Sequence, residues 1–193
     1  MLKPKLFLPA IILTVICLVT TGLVAVTFDI TREERERQEV IAANVNRLAL
    51  FPEALSFTPV GAETGAALPA GLKEAYTVEG QDGSRIGYIF VSEKRGYGGN
   101  VPVMLAVDLS ASITGVRVLA NEETPGLGKK VANESFLSQF KNKSADSLFG
   151  LKVEGTARQP VDAISGATIS SRAVTEAINI ALNYYQDLDK EVN

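Results

Sequence analysis

The sequence predicts an α+β protein in which an N-terminal transmembrane helix and a helical stalk precede an antiparallel-sheet domain with a C-terminal helix. Three patterns support this: an uncharged run near the N-terminus, a central stretch that alternates apolar and polar residues, and a final segment with helical apolar spacing. Strands grouped together, with helices outside the group, are typical of α+β domains. The predicted parts are a cytoplasmic tail (1–5), a transmembrane helix (6–28), a helical stalk (29–50), a connecting segment (51–73) and the domain (74–193).

The N-terminal run, residues 6–28, carries no charge. Its 23 residues would form roughly 34 Å of helix, enough to cross a hydrocarbon core of about 30 Å. A cleaved signal peptide has a shorter apolar region, of about 7–15 residues, and no small-x-small site precedes Asp29, so the run favours an uncleaved anchor. Lys3 and Lys5 place the N-terminus in the cytoplasm and the domain on the other side. Cys17 is interpreted as a small apolar residue of the anchor.

Residues 29–50 are predicted to continue as a helix. Opposite charges four residues apart, such as Arg32 with Glu36, and an apolar stripe that begins at Ile41 are typical of a solvated helix with one docking face. Residues 51–73 are rich in Pro, Gly and Ala and are predicted to be an irregular connection.

The domain is predicted from a change to period-two spacing and then back to helical spacing. A hairpin turn is expected at GQDG, between the first two strands. The last helix should bury one apolar face. The predicted strands are Ala75–Glu79, Arg85–Glu93, Val101–Val107, Ile113–Ala120 and Leu151–Glu154; the predicted helices are Asn133–Phe140 and Ser170–Leu188, the latter with Val174, Ile178, Ala181, Leu182 and Tyr185 inside.

Composition excludes several kinds of chemistry. The chain has no histidine and one cysteine, which excludes Ser-His-Asp and Cys-His nucleophiles, histidine metal sites and CxxC metal spacings. No metal site is therefore predicted. A net charge of −3 gives no basic footprint for nucleic acid. Redox or transfer chemistry must come from a bound cofactor or from hydroxyl and carboxylate groups.

Two glycine-rich loops are candidates for binding. In residues 94–100 (KRGYGGN), glycines around Tyr97 allow a flat group to approach while a ring is presented; taken alone, however, the loop favours a long hairpin connection whose glycines supply positive φ. Residues 121–130 (NEETPGLGKK) are not a phosphate loop, because Glu123 and Lys130 occupy positions that need Gly and Ser or Thr. This stretch is predicted to be a Pro-Gly turn.

A third segment, residues 162–171 (DAISGATISS), precedes the last helix. Gly166 permits close approach, and the free amides that open a helix attract phosphate. The hydroxyl of Thr168 is placed to bond a phosphate or to be esterified by it. The alternative is a simple helix cap formed by Ser170 or Ser171.

The three loops, which follow a single predicted transmembrane helix along the sequence, resemble those of the G subunit of the Rnf ion-translocating oxidoreductase. The chain is more distantly similar to the C subunit of the sodium-pumping NADH:quinone oxidoreductase, and both families carry an FMN-binding domain. The resemblance covers nearly the whole chain. Its most specific part is the motif D-x-x-[ST]-G-A-T, which the chain matches at every fixed position with Asp162, Ser165, Gly166, Ala167 and Thr168.

The resemblance implies a covalent cofactor. Thr168 would carry FMN through a phosphoester bond, installed by a flavin transferase that uses FAD and recognises Asp162, Ser165, Gly166, Ala167 and Thr168. Lys129 and Arg172 are either phosphate partners or solvated surface charges. The implied pocket residues are Ser165, Gly166 and Ala167, with Tyr97 and Leu127 as apolar contacts and Glu123 and Thr124 as polar ones.

The resemblance also implies a role as a redox subunit with no complete activity alone. The chain would hold one flavin in a complex that moves electrons between ferredoxin and NAD and transports Na⁺ or H⁺. It would be anchored in the inner membrane among the other subunits, with its domain on the periplasmic or extracellular side. Two other hypotheses remain open: a membrane-anchored flavin sensor, and a non-redox scaffold in which SGAT is only a helix cap.

Overall fold

A computed structural model describes residues 4–60, 68–155 and 159–192. Lys3, residues 61–67 of the predicted connection and Asn193 lie outside the described residues. The chain divides into two compact units, Met1–Val45 and Asn46–Asn193. The elements are α1 (Pro4–Leu50), β1 (Ala54–Pro59), β2 (Leu72–Gly80), β3 (Arg85–Arg95), β4 (Asn100–Asp108), β5 (Ile113–Val118), α2 (Glu134–Leu137), β6 (Phe149–Leu151), β7 (Gln159–Val161) and α3 (Thr168–Val192), with short 3-10 helices at Gly128–Ala132 and Lys152–Glu154.

The first unit contains most of α1, including its apolar part. Phe7–Arg32 has a mean hydropathy of 2.5 and is long and apolar enough to cross a membrane. Its large apolar side chains are exposed on the protein itself, with Leu18 at 68%. The hydroxyls of Thr14 and Thr20 donate to carbonyls four residues earlier, at 2.9 and 2.8 Å. These polar groups therefore have partners inside the helix, which hydrocarbon surroundings require.

The second unit is built on a five-stranded sheet in the order β1-β2-β3-β4-β5, and every neighbouring pair is antiparallel. The α+β prediction is confirmed. The hairpin between β2 and β3 lies where GQDG predicted it, and there Asp82 accepts hydrogen bonds from the amide and hydroxyl of Ser84. The irregular connection predicted for 51–73 is wrong at Ala54–Pro59, because these residues form β1 along the edge of the sheet.

Both faces of the sheet are covered. Val103 and Leu105 of β4 belong to the core that α3 closes, whereas Met104 and Ala106 belong to a second cluster with Phe51 on the opposite face. The alternating pattern of β4 suggested one apolar face. All four of these β4 residues are at most 1% exposed, because the second face of the sheet is also covered by apolar residues of the same unit.

The last helix, α3, packs on β3 and β4. Its five predicted inner residues are between 0 and 4% exposed, which confirms the buried face. Its predicted start is wrong: α3 begins at Thr168, two residues before Ser170. Because Ser170 and Ser171 lie inside the first turn, neither is the capping residue.

The segment between β5 and α3 is less regular than the sequence suggested. The helix predicted for Asn133–Phe140 is confined to Glu134–Leu137. The strand predicted at Leu151–Glu154 ends at Leu151, where a 3-10 turn follows. This short strand, β6, pairs in parallel with β7, which the sequence pattern did not reveal because β7 is three residues long.

Candidate functional site

The three candidate loops meet around one cavity of about 540 Å³. No single loop forms the cavity: the β3–β4 loop, residues 121–130 and the start of α3 all contribute to its wall. Of the predicted site residues, Ser165 and Asp162 do not line it. The cavity is lined by Tyr97, Glu123, Thr124, Leu127, Gly128, Gly166, Ala167, Thr168, Ile169 and Ser170.

The wall of this cavity is largely apolar and accessible. Tyr97 is 71% exposed, Ile169 50% and Leu127 42%. Apolar side chains left open around a concave site are typical of surfaces that a ligand covers. Ile169 is a lining residue that the sequence motifs do not predict. It could have been found as an apolar residue directly after Thr168 that lies outside the apolar stripe of α3.

Thr168 is the first residue of α3, and its side chain is half-buried at the cavity. Ala167 precedes the helix: its carbonyl accepts the Ser171 amide at 2.9 Å, and its own amide donates to Ile164 at 2.9 Å. In the described part of the chain, no backbone carbonyl accepts the amides of residues 168–170. These amides and the helix dipole favour an anion at this position.

The serine hydroxyls of the first turn are engaged with neighbouring segments. Ser171 Oγ accepts the amide of Ile164 at 3.0 Å and so closes the loop that leads into α3. Ser170 Oγ donates to Glu123 Oε2 at 2.6 Å. Gly166 precedes both serines with φ +77°, a conformation that favours glycine, and faces the side chain of Leu127.

Glu123 is a buried carboxylate in the wall of the cavity, only 1% exposed. Its Oε1 accepts the Gly98 amide at 3.1 Å, and its Oε2 accepts the Ser170 hydroxyl. Burial of a carboxylate is costly unless hydrogen bonds compensate for lost water. Here one carboxylate joins all three loops.

The other predicted residues lie outside the cavity. Asp162 is exposed, pairs with Lys152 at 2.6 Å and exchanges backbone hydrogen bonds with the Gln139 side chain. Ser165 is also exposed. Arg172 bonds Glu154 at 2.6 Å.

Lys129, the other predicted phosphate candidate, is exposed and does not line the cavity. Among the described residues, no group of three or more His, Cys, Asp or Glu side chains is arranged to hold a metal ion. The cavity can therefore offer backbone amides, hydroxyls and an apolar wall to a ligand.

Two family models match the chain. Residues 96–183 match an FMN-binding domain, and residues 1–44 match an RnfG N-terminal region. The first match includes every residue that lines the cavity. The second ends at the boundary region between the two compact units.

The chain is similar to known proteins over most of its length. The G subunit of the Na⁺-translocating ferredoxin:NAD⁺ oxidoreductase complex of Acetobacterium woodii is 33% identical over 192 residues, 93% of this chain and 91% of that protein. The corresponding subunit of the proton-translocating complex of Clostridium ljungdahlii is 29% identical over 170 residues, 88% of this chain and 86% of that one. A crystal structure of the C subunit of the Na⁺-translocating NADH-quinone reductase of Parabacteroides distasonis is 28% identical, with a TM-score of 0.48, and covers 58% of this chain and 60% of that chain.

Fold, cavity and family matches together define a protein in which an N-terminal apolar helix is followed along the chain by an FMN-binding domain. More particularly, the chain belongs to the family of the G subunits of Rnf ion-translocating oxidoreductase complexes. The resemblance found in the sequence is confirmed.

Proposed function

We propose that this chain is an electron-transfer subunit of a membrane-bound, ion-translocating ferredoxin:NAD⁺ oxidoreductase complex, with FMN bound covalently to Thr168. One observation carries the proposal: a threonine hydroxyl lies at the open N-terminus of α3, on the wall of a cavity within the FMN-binding match. The names of its relatives supply the reaction of the complex.

The residues at the cavity fit FMN in size and chemistry. A volume of about 540 Å³ lies within the usual range of ligand sites, about 300–1,000 Å³. Tyr97, Leu127 and Ile169 provide an apolar wall for a ring system. The free amides at the start of α3 suit a phosphate group. When bound, FMN supplies the electron-accepting and electron-donating chemistry, and the protein supplies its position.

Attachment would use the hydroxyl of Thr168. Its oxygen forms a bond to the phosphorus of the FMN half of FAD, the pyrophosphate P–O bond breaks, and AMP leaves with the bridging oxygen. A base of the flavin transferase takes the hydroxyl proton. Asp162 and Ser165 are exposed beside the cavity, where a modifying enzyme can contact them. No oxidation or reduction occurs in this step.

Within the cell, the apolar helix would anchor the subunit in the inner membrane. Lysines ahead of the apolar segment favour a cytoplasmic N-terminus, which puts the domain on the periplasmic or extracellular side. The helix would dock the chain among the other subunits of the complex. A covalent bond keeps the cofactor attached on a side of the membrane that has no flavin pool.

The proposal is tested on the full chain purified from its own membrane. We expect a fluorescent band under ultraviolet light on a denaturing gel and an intact mass larger than the sequence mass by one FMN less one water. Thr168→Val, which removes the hydroxyl and keeps the shape, should lose both signals. Thr168→Ser should keep them in part. Thr77→Val on β2 is the matched control and should behave like the wild type, whereas an unmodified native chain would refute the attachment.

A further inference from the structure

We infer that Glu123 is the positioning residue of the flavin site, and that it acts by hydrogen bonding rather than by contact with the cofactor. Its carboxylate would set the placement of Thr168 by tying the first turn of α3 to the β3–β4 loop. The role in cofactor attachment rests on the proposed function. The hydrogen bonds from which it is inferred lie within this chain.

Both carboxylate oxygens of Glu123 already have partners within the protein. One accepts the amide of Gly98, the other accepts the hydroxyl of Ser170, and the residue is 1% exposed. No lysine or arginine among the described residues forms an ion pair with it. The carboxylate is therefore committed to joining segments and has no oxygen free of a protein partner.

The segments joined by Glu123 are far apart in sequence. Gly98 is 25 residues before it, and Ser170 is 47 residues after it. Gly98 follows Tyr97, which forms the apolar wall, and Ser170 lies two residues after Thr168. One side chain thus links the proposed ring-binding wall to the proposed attachment point.

The space around the carboxylate is shaped to hold it in one place. A Cβ at Gly96 would collide with Glu123 Oε1, and a Cβ at Gly128 would lie 2.5 Å from Oε2. Backbone therefore packs against both oxygens. Two close glycines and two hydrogen bonds restrict the carboxylate to a single arrangement.

A positioning role depends on reach, whereas an electrostatic role depends on charge. Glu123→Gln keeps the length of the side chain and removes the charge. Its carbonyl oxygen can accept the Gly98 amide, and its NH2 group can donate to the Ser170 hydroxyl oxygen in place of accepting from it. Glu123→Asp keeps the charge but is one methylene shorter, so it cannot reach both Gly98 and Ser170. The inference predicts that the glutamine variant works better than the aspartate variant.

The experiment uses the full chain in detergent micelles, with purified flavin transferase and FAD. We expect Glu123→Gln to be modified at a rate within about threefold of wild type, and Glu123→Asp to be slower by about tenfold. Hydrogen exchange followed by mass spectrometry should show faster exchange in residues 96–100 and 165–171 together in the aspartate variant, and wild-type exchange in the glutamine variant.

Two controls separate positioning from general stability. Glu122→Gln changes the exposed neighbouring carboxylate and should match the wild type in both measurements. Ile89→Val mildly destabilises the core cluster on the opposite face of the sheet and should leave both rates unchanged. A comparable loss of modification in the Ile89 variant would overturn the inference, because any destabilisation would then produce the effect.

Two further outcomes would also overturn it: an aspartate variant with wild-type rate and exchange, or a glutamine variant as impaired as the aspartate variant. If the wild-type chain accepts no FMN, the proposed function fails. The exchange measurement then decides the role of Glu123 alone: joint loosening of both segments in Glu123→Asp supports the inference, and unchanged exchange refutes it.

Discussion

The two long helices of this protein show how differently apolar residues are used within one chain. Along Phe7–Arg32 of α1, large apolar side chains are exposed on every side, and none of the window is buried. In α3 the apolar residues after the first turn form one stripe against the sheet, with Val174, Ile178 and Leu182 fully buried, while Asn183 and Asp187 on other sides are exposed. The apolar side chains of α1 need a lipid environment around them, whereas those of the α3 stripe are surrounded by the core of the domain. Comparable substitutions in the two helices should therefore have different effects.

Charge should produce the largest contrast. Leu13→Arg combined with Leu18→Arg places two cations in the centre of the apolar segment, at about 2.5–3.5 kcal/mol each on the insertion scale. We expect the double variant to be lost from the carbonate-resistant membrane fraction. Asn183→Arg with Asp187→Arg, on the exposed side of α3, should stay in that fraction. Retention of the α1 variant in the membrane fraction would contradict the role of α1 as an anchor.

Truncation of a leucine should give the next largest contrast. Leu182 in α3 is fully buried, so Leu182→Ala should lower the free energy of unfolding of the domain by about 2–5 kcal/mol. Leu18→Ala, at a side chain 68% exposed, should leave it unchanged. Urea unfolding in micelles can be followed by tyrosine fluorescence, because the chain has no Trp and its five Tyr all lie in the second unit. Equal midpoints for the two variants would refute the distinction.

Removal of a hydroxyl should give the smallest contrast. Thr175 Oγ1 in α3 and Thr20 Oγ1 in α1 both donate to the carbonyl four residues earlier, at 2.9 and 2.8 Å. Thr175→Val should lower domain stability by about 1 kcal/mol or less, because the carbonyl of Ser171 keeps its helical partner. Thr20→Val should not change the unfolding midpoint. A loss of several kcal/mol at Thr175 would mean that the hydroxyl has a further role.

Local patterns in the sequence predicted the elements whose signal is periodic and long. The apolar run, the β2–β3 hairpin and the inner stripe of α3 follow from side-chain spacing and turn chemistry within one segment. Apart from the start of α3, the errors fall on short or irregular segments. β1 lies in a segment whose Pro and Gly content predicts an irregular connection, and the three residues of β7 are too few to establish a period.

The residues of the candidate site also differ in whether a local sequence pattern reveals them. Thr168 and its neighbours form a contiguous motif, so the sequence alone singled them out, and covalent attachment there remains a prediction. Ile169 was missed because a single apolar residue after the motif has no distinguishing pattern. Glu123 lies in the wall of the cavity, so its contact with the cofactor stays a prediction. What the sequence does not predict is that its buried carboxylate bonds Gly98 and Ser170.

The apolar segment, the strand-rich domain, the family and the residue proposed to carry the cofactor all follow from the amino-acid sequence. Each of these is encoded by neighbouring residues, through hydrophobic period, turn chemistry or a contiguous motif. The folded domain is needed to see that three loops share one cavity and that Glu123 links them. Contacts across 25 and 47 residues depend on how the sheet and α3 pack, and no local pattern records that distance.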